Sequence, residues 1–185
     1  MEYRMSTLTV KELSHPAGEV IKIAAGKTLD LNSQGTVVLP TIPAAKMPTG
    51  SVIQVVEDSN ETQLSTSTTA WVDTPLSVTL TPSSTSSKVH LQYSFRGIFL
   101  GGTGRGFKFR ILRDSTSIHD SGGPYETYFY STAAYLSTSD IALDSPTTTS
   151  AITYKVQVAS TNTNPLVLNY NGWFKDTFIA MEIQG

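Results

Sequence analysis

One short run of this sequence brings a base, an acid and a nucleophile together: "IHDS", Ile118–Ser121. Ser, His and Asp side chains perform nucleophilic catalysis only when they converge on one point. Adjacent residues of a strand or turn point in different directions, so this run cannot assemble a triad by itself. We expect a solvated turn here and no catalytic residue in the chain, which is predicted not to be an enzyme.

Pairs of carboxylates are the other arrangement that could do chemistry, since two of them can cut a glycosidic bond. The sequence gives none of the pairs a partner or a buried setting, so solvated turn residues are the better interpretation. No calcium-loop spacing is present between Asp114 and Asp120, and the absence of cysteine excludes a Cys-ligated zinc. We expect no metal and no cofactor. The pairs are Glu57 with Asp58, Asp114 with Asp120, and Asp140 with Asp144.

A glycine-rich run, "GGTGRGF" at Gly101–Phe107, lies beside the densest group of cations. A phosphate loop needs a following helix, whereas a strand-like "FKFRILR" follows, so we predict a hairpin. Lys108 and Arg110 are expected on one strand face, where they could meet an anionic lipopolysaccharide or a neighbouring subunit's carboxylates. The structural alternative is a solvated outer strand face. The cations of this group are Arg96, Arg105, Lys108, Arg110 and Arg113.

Two aromatic runs, "PYETYFYSTAAY" and "NYNGWF", could recognise carbohydrate, because sugar rings stack on aromatic faces beside hydrogen-bonding amides. Period-two alternation places about half of these aromatic residues in the core. The candidate ligand-binding residues, from the cationic group and the aromatic runs together, are Arg105, Lys108, Arg110, Tyr128, Asn171 and Trp173.

Composition limits the partners. The net charge is −2 with a pI near 5.9, so no field attracts nucleic acid, and we expect no nucleic-acid partner. No run of about 20 apolar residues occurs, so no membrane insertion is expected. Ser and Thr make up about a quarter of the chain, which suits exposed strand faces and turns.

Alternation of apolar and polar residues dominates the chain from residue 48 to residue 185. In "SKVHLQYSFRG", Val89, Leu91, Tyr93 and Phe95 share one face, the period of a half-buried strand. About eight such strands, joined by Gly, Pro, Asn and Ser/Thr turns, predict an all-β fold, an antiparallel β-sandwich that is jelly-roll-like. A short helix could form in "STAAYLSTSD", residues 131–140.

Residues 1–47 differ from the rest of the chain in sequence pattern, with apolar pairs separated by Gly and Pro. Strands so short cannot bury a face alone. We predict an N-terminal attachment or trimerisation segment of short strands, which ends in an extended linker at "TIPAAKMPTG" and precedes the sandwich of residues 48–185.

Four stretches carry a family resemblance: "GSVIQV" at Gly50–Val55, "WVDT" at Trp71–Thr74, "TPSSTSSK" at Thr81–Lys88, and "AMEI" at Ala180–Ile183. Together they resemble the C-terminal domain of tail fibres and related appendage proteins of tailed bacteriophages, over about three quarters of the chain.

The resemblance implies a virion structural protein, a homotrimer assembled in the host cytoplasm. Residues 1–47 would contact other virion proteins, and the sandwich would bind a host-surface glycan. Two alternatives stay open: a head fibre or decoration protein with a purely architectural role, and a carbohydrate-binding module unrelated to viruses.

Overall fold

A computed structural model of the chain describes residues 42–120, 127–129 and 133–185. The predicted N-terminal segment therefore lies, up to Thr41, outside the described residues. In the described part the chain forms strands and two short 3-10 turns, Ala44–Lys46 and Tyr170–Gly172. No helix there is long and apolar enough to cross a bilayer. The strands are β1 (Val52–Asn60), β2 (Leu64–Thr66), β3 (Val72–Leu80), β4 (Lys88–Gly101), β5 (Arg105–Arg113), β6 (Thr116–Asp120), β7 (Thr127–Phe129), β8 (Ala133–Asp144), β9 (Ile152–Ser160), β10 (Leu166–Leu168) and β11 (Asp176–Ile183).

These strands form two antiparallel sheets, which confirms the predicted all-β sandwich. In the first sheet, β4 pairs with β8 on one side and with β11 and then β10 on the other; β1 extends beyond β11 and β2 beyond β10. The second sheet has the order β3-β9-β5-β6, with β7 against the first residues of β5. Every described pair is antiparallel, as hairpins and long sandwich connections produce.

The core lies between the sheets and follows the predicted alternation. Tyr93 and Phe95 of β4 meet Phe109 of β5, and the Phe95 and Phe109 rings stack with centroids 4.6 Å apart. Burial of each such side chain contributes about 1.5–3 kcal/mol. The inward residues that alternation predicts are all buried: Val89, Leu91, Tyr93, Phe95, Phe107, Phe109, Ile111, Ile152, Tyr154, Val156 and Val158.

Two local predictions are wrong. The residues 133–140, part of the expected short helix, belong to strand β8, which pairs along β4 from Asp144 opposite Val89 to Ala133 opposite Gly101. Strand β4 is long and apolar, and its edge opposite β11 and β10 needs a hydrogen-bonding partner. Pairing with this edge outweighs the local helix propensity of the segment. The expected extended linker contains a 3-10 turn, in which the Lys46 N–H donates to the Pro43 carbonyl at 2.8 Å.

The Ser-rich turn between β3 and β4 is organised around Glu182, which is fully buried. Glu182 Oε1 accepts hydrogen bonds from Ser83 N (2.7 Å), Ser83 Oγ (2.6 Å) and Ser87 Oγ (2.7 Å). Its Oε2 accepts from Gln54 Nε2 at 2.6 Å. Three of the four stretches that carry the family resemblance therefore converge on one carboxylate, whose role is structural.

The environment of Glu182 sets its ionisation. Burial raises the pKa of this carboxyl, but the hydrogen bonds from Ser83, Gln54 and Ser87 lower it, and the resulting pKa is below the ordinary 4.5. The carboxylate is thus held charged inside the protein, because its oxygen atoms have the donors that a buried anion needs.

Candidate functional site

The structure separates the predicted ligand-binding residues into two groups on different sheets. Lys108 and Arg110 are on β5 of the second sheet, and Asn171 and Trp173 follow β10 beside the first sheet. Arg105 begins β5, and Tyr128 lies on β7 with its backbone opposite Gly106. The six residues therefore do not form a single site.

Lys108 and Arg110 are occupied by contacts within the protein. Both cations lie over the ring of Trp71, with Lys108 Nζ 4.8 Å and the Arg110 guanidinium carbon 4.5 Å from its centroid. Arg110 Nε also donates to Gln157 Oε1 at 2.7 Å, and Gln157 Nε2 donates to Asp73 Oδ1 at 2.6 Å. Both cations are thus half-buried in contacts with neighbouring side chains, and their role in ligand binding stays a prediction.

Glu57, Asp58, Asp120, Asp140 and Asp144 lie in strands, as do Ile118 and His119 of the "IHDS" run, so the expectation of solvated turns is wrong for several of these residues. Asp114 is exposed in the turn between β5 and β6, as expected. His119 Nε2 of β6 and Asp140 Oδ2 of β8 are 2.7 Å apart, which joins the two sheets. Asp144 accepts from Arg113 Nη1 at 2.9 Å and from the Tyr154 hydroxyl at 2.8 Å. These groups connect β8 to the second sheet. Their partners are far away in the sequence, so local sequence patterns do not predict these contacts.

An aromatic groove lies on the outer face of the first sheet, and we define it by Arg96, Tyr135, Tyr170, Trp173 and Phe174. These residues line a cavity of about 330 Å³. The side chain of Trp173 is 74% exposed and that of Tyr135 is 64% exposed. The Tyr135 and Tyr170 rings meet edge to face at 5.4 Å, and Tyr170 and Trp173 do so at 6.5 Å. Open aromatic faces of this kind can stack on the apolar faces of sugar rings.

The loop that carries Trp173 is held by the side chain of Asn169. This residue is fully buried and has a left-handed backbone, φ 49°, which Asn tolerates better than most residues. Its Nδ2 donates to the Phe174 carbonyl at 2.6 Å and its Oδ1 accepts from the Phe174 N–H at 3.0 Å. The Gly172 N–H donates to the Asn169 carbonyl at 2.9 Å, which closes the turn.

A glycine in β4 allows this loop to pack directly against the first sheet. Gly97 has φ +61° at the point where the register between β4 and β8 shifts, and a Cβ placed on it would overlap the Phe174 ring. A larger residue would be strained by the backbone and would displace Phe174. The absence of a side chain at position 97 therefore lets Phe174 pack directly on the sheet.

Beneath the groove, Asp176 anchors the backbone of Arg96. Asp176 is buried, and its Oδ1 accepts from the Arg96 N–H at 2.8 Å. Burial raises the pKa of Asp176 from 3.8 to about 6, although that N–H and the charge of Arg96 lower it. The guanidinium of Arg96 extends the other way, with its central carbon 6.0 Å from the centroid of the Phe174 ring.

Asn171 and Trp173, two of the predicted residues, thus belong to the same loop, whereas Arg96, Tyr135 and Tyr170 were absent from the predicted set. Tyr135 lies opposite Phe99 on β4, a position that depends on the pairing of β8 with β4. The juxtaposition of Arg96 with Trp173 depends on the bulge at Gly97, and no local pattern reveals it. Among the described residues, no group of three His, Cys, Asp or Glu side chains could hold a metal ion.

No protein-family model matches this sequence, and comparison with curated proteins found no match either. Among solved structures, the chain is similar to VP2 of infectious bursal disease virus in a subviral particle, with a TM-score of 0.41 and 11% identity over 71% of this chain and 38% of that one. A T13 particle of the same virus gives 0.41 and 11%, over 80% and 40%. The Gt strain gives 0.38 and 14%, over 81% and 43%.

This chain therefore spans about two fifths of the length of those viral chains. A likeness of this extent decides neither the fold nor the function of the chain. The resemblance to bacteriophage tail fibres stays a prediction.

Proposed function

We propose that the chain is a virion structural protein, a component of a homotrimeric fibre or related appendage, whose β-sandwich binds a host-surface glycan through the aromatic groove. The observation that carries the glycan proposal is the exposed ring of Trp173, fixed beside Tyr170 and Tyr135. The protein would bind and not catalyse.

Rigidity is what makes this arrangement suited to binding. A large exposed aromatic side chain in a soluble protein marks an interaction site when it is part of a patch. Here the patch is preorganised by the Asn169–Phe174 hydrogen bonds and by the packing of Phe174 on Gly97. Little loop ordering would then oppose ligand binding, so more of the stacking energy would appear as affinity.

Trimerisation would compensate for the weakness of one shallow site. A single groove of this size would hold a sugar weakly, but three grooves on one appendage raise the effective concentration for the second and third contacts. In this proposal residues 1–47 would join the chain to other virion proteins, after assembly in the host cytoplasm.

A glycan array tests the binding proposal with three forms of the full chain: the unaltered protein, Trp173→Ala and Trp71→Ala. The last is a matched control, because it removes the same side chain from beside the other sheet, where Trp71 contacts Lys108 and Arg110. We expect Trp173→Ala to lose about two- to tenfold in affinity, given that one aromatic stacking contact contributes about 0.5–1.5 kcal/mol. Trp71→Ala should bind like the unaltered protein. Equal binding by Trp173→Ala would overturn the assignment of the groove.

Light scattering tests the oligomeric proposal. Three chains of 20.0 kDa give 60 kDa, and the full chain should have that mass. A monomer that binds glycan would instead support a carbohydrate-binding module that acts alone.

A second candidate, an architectural head fibre or decoration protein, is favoured by an apolar area on the outer face of the first sheet. Val55 is 58% exposed and Leu143 is 61% exposed, in one row across the sheet that also contains Met181 and His90, both half-buried. Exposed apolar area of this kind marks a protein contact. A Leu143→Asp variant that loses incorporation into particles while glycan binding persists would favour this candidate.

A further inference from the structure

Arg96 gives the aromatic groove an unusual charge. The residues that line the cavity include this cation but no carboxylate; the remainder are aromatic, aliphatic, Gly or Ser. Arg96 is not a member of the ion pairs Arg113–Asp144, His119–Asp140 and Lys155–Asp73 of the described residues. The groove is therefore electropositive as well as aromatic.

Asp176, the carboxylate bound to the backbone of Arg96, does not pair directly with its guanidinium. Asp176 lies below the groove, where its Oδ1 accepts the backbone N–H of Arg96 and not a side-chain N–H. Its charge moderates the local potential, but the side chain of Arg96 stays exposed on the ligand side of the sheet.

The way in which Arg96 is positioned leaves its hydrogen-bonding edge available. The guanidinium carbon is 6.0 Å from the centroid of the Phe174 ring, at the outer limit of a cation–π contact. At that distance the ring does not cover the N–H groups of the guanidinium, which form a planar fork of donors. A planar carboxylate or a phosphate could then accept two N–H bonds while the attached sugar ring lies over the neighbouring Tyr135, Tyr170 or Trp173.

We propose that the aromatic groove selects saccharides that carry an anionic group, a carboxylate or a phosphate, and that Arg96 is the residue that binds this group. The inference rests on the proposed glycan-binding function and specifies its ligand class. Neutral saccharides would stack on the same rings but would lack the charged contact.

An array of matched saccharides tests this selectivity. It carries uronate-containing oligosaccharides, the same oligosaccharides with each carboxylate reduced to a hydroxymethyl group, and phosphorylated oligosaccharides with their dephosphorylated forms. The full chain is compared with Arg96→Gln, which keeps the backbone N–H that Asp176 binds. Arg110→Gln, which removes one positive charge from the other sheet, is the matched control.

We expect the unaltered protein and Arg110→Gln to bind at least one anionic class about tenfold more tightly than its neutral counterpart, since a charge-assisted contact contributes about 1.5 kcal/mol or more. Arg96→Gln should bind the two counterparts equally, and added NaCl should weaken binding only to the anionic member. Whether the uronates or the phosphorylated sugars are preferred identifies the source of the anion.

Failure of the anionic selectivity and failure of glycan binding give different results on the array. If the unaltered protein binds neutral and anionic counterparts equally, or if Arg96→Gln keeps the preference, the anionic selectivity is wrong while glycan binding stands. If no saccharide binds, or if Trp173→Ala binds all of them unchanged, glycan recognition by this groove is wrong, and the selectivity fails with it.

Discussion

The side chain of Asn169 and the backbone of Phe174 form a two-bond pair, with Nδ2 donating to the carbonyl at 2.6 Å and Oδ1 accepting the N–H at 3.0 Å. These two hydrogen bonds have the pattern of a hydrogen-bonded pair in an antiparallel sheet, and they close the loop that carries Trp173. The shape of the aromatic groove thus depends on a residue that no ligand would touch.

Asn169→Ala should therefore loosen the groove and destabilise the domain. Two partly buried backbone groups of Phe174 lose their partners, and Ala is strained at φ 49°, so we expect a loss of about 2–4 kcal/mol in the free energy of unfolding. Urea denaturation measures it. Asn171→Gly is the control, because Asn171 is exposed at φ 62° and glycine accepts that conformation at little cost. Similar stability of Asn169→Ala and the control would contradict this account of the loop.

The contact between Gly97 and Phe174 predicts a coupling between two substitutions. Gly97→Ala should cost about 2 kcal/mol or more in unfolding free energy, because the new Cβ meets the Phe174 ring and the backbone φ is positive. In a Phe174→Ala background the steric part of that cost should disappear. A double-mutant cycle measures the difference, and additive effects would show that the ring does not rest on Gly97.

Asp176 predicts a pH dependence of stability in the weakly acidic range. Its pKa is raised in the folded protein to about 6 from 3.8, so the stability gained from its protonated form is complete below about pH 3.8 and is lost as the pH rises through 6. The difference corresponds to about 3 kcal/mol. Asp176→Asn, which can still accept the Arg96 N–H, should lack this slope when unfolding is measured from pH 4 to 7. An unchanged profile would mean that Asp176 does not titrate in this range.

Glu182 predicts the opposite behaviour at lower pH. Because its folded pKa is lowered, its contribution to stability is present above about pH 4.5 and is lost as the pH falls through the folded value. Glu182→Gln should cost about 2–3 kcal/mol at pH 7, since an amide Nε2 would face the donor Nε2 of Gln54. The exposed Glu57, on the neighbouring β1, provides the control as Glu57→Gln, which should change stability by less than about 0.5 kcal/mol.

The parts of the fold that depend on interactions between residues close in sequence were predictable, and those that depend on residues far apart in sequence were not. The inward residues of β4, β5 and β9 follow from alternation alone, because the period of two is local. Strand β8 was missed because Ala, Ser and Thr in residues 133–139 carry little apolar contrast, and its strand identity depends on pairing with β4.

In the candidate site, Asn171 and Trp173 could be proposed from sequence because the amide and the aromatic residue are two positions apart, and their role in binding stays a prediction. The pairing of Lys108 and Arg110 with Trp71, and of Arg96 with Phe174, joins residues 37 or more positions apart. Such contacts depend on strand order and register, which single-sequence patterns do not encode.

The most direct test of the central claim uses the indole N–H signals of the two tryptophans in a nitrogen–proton correlation spectrum, assigned with Trp71→Phe and Trp173→Phe. On titration with the saccharide that binds best on the array, the Trp173 signal should shift in a saturable way while the Trp71 signal stays in place. Saturable binding that leaves the Trp173 signal unmoved, or moves that of Trp71 instead, would contradict glycan recognition by the aromatic groove.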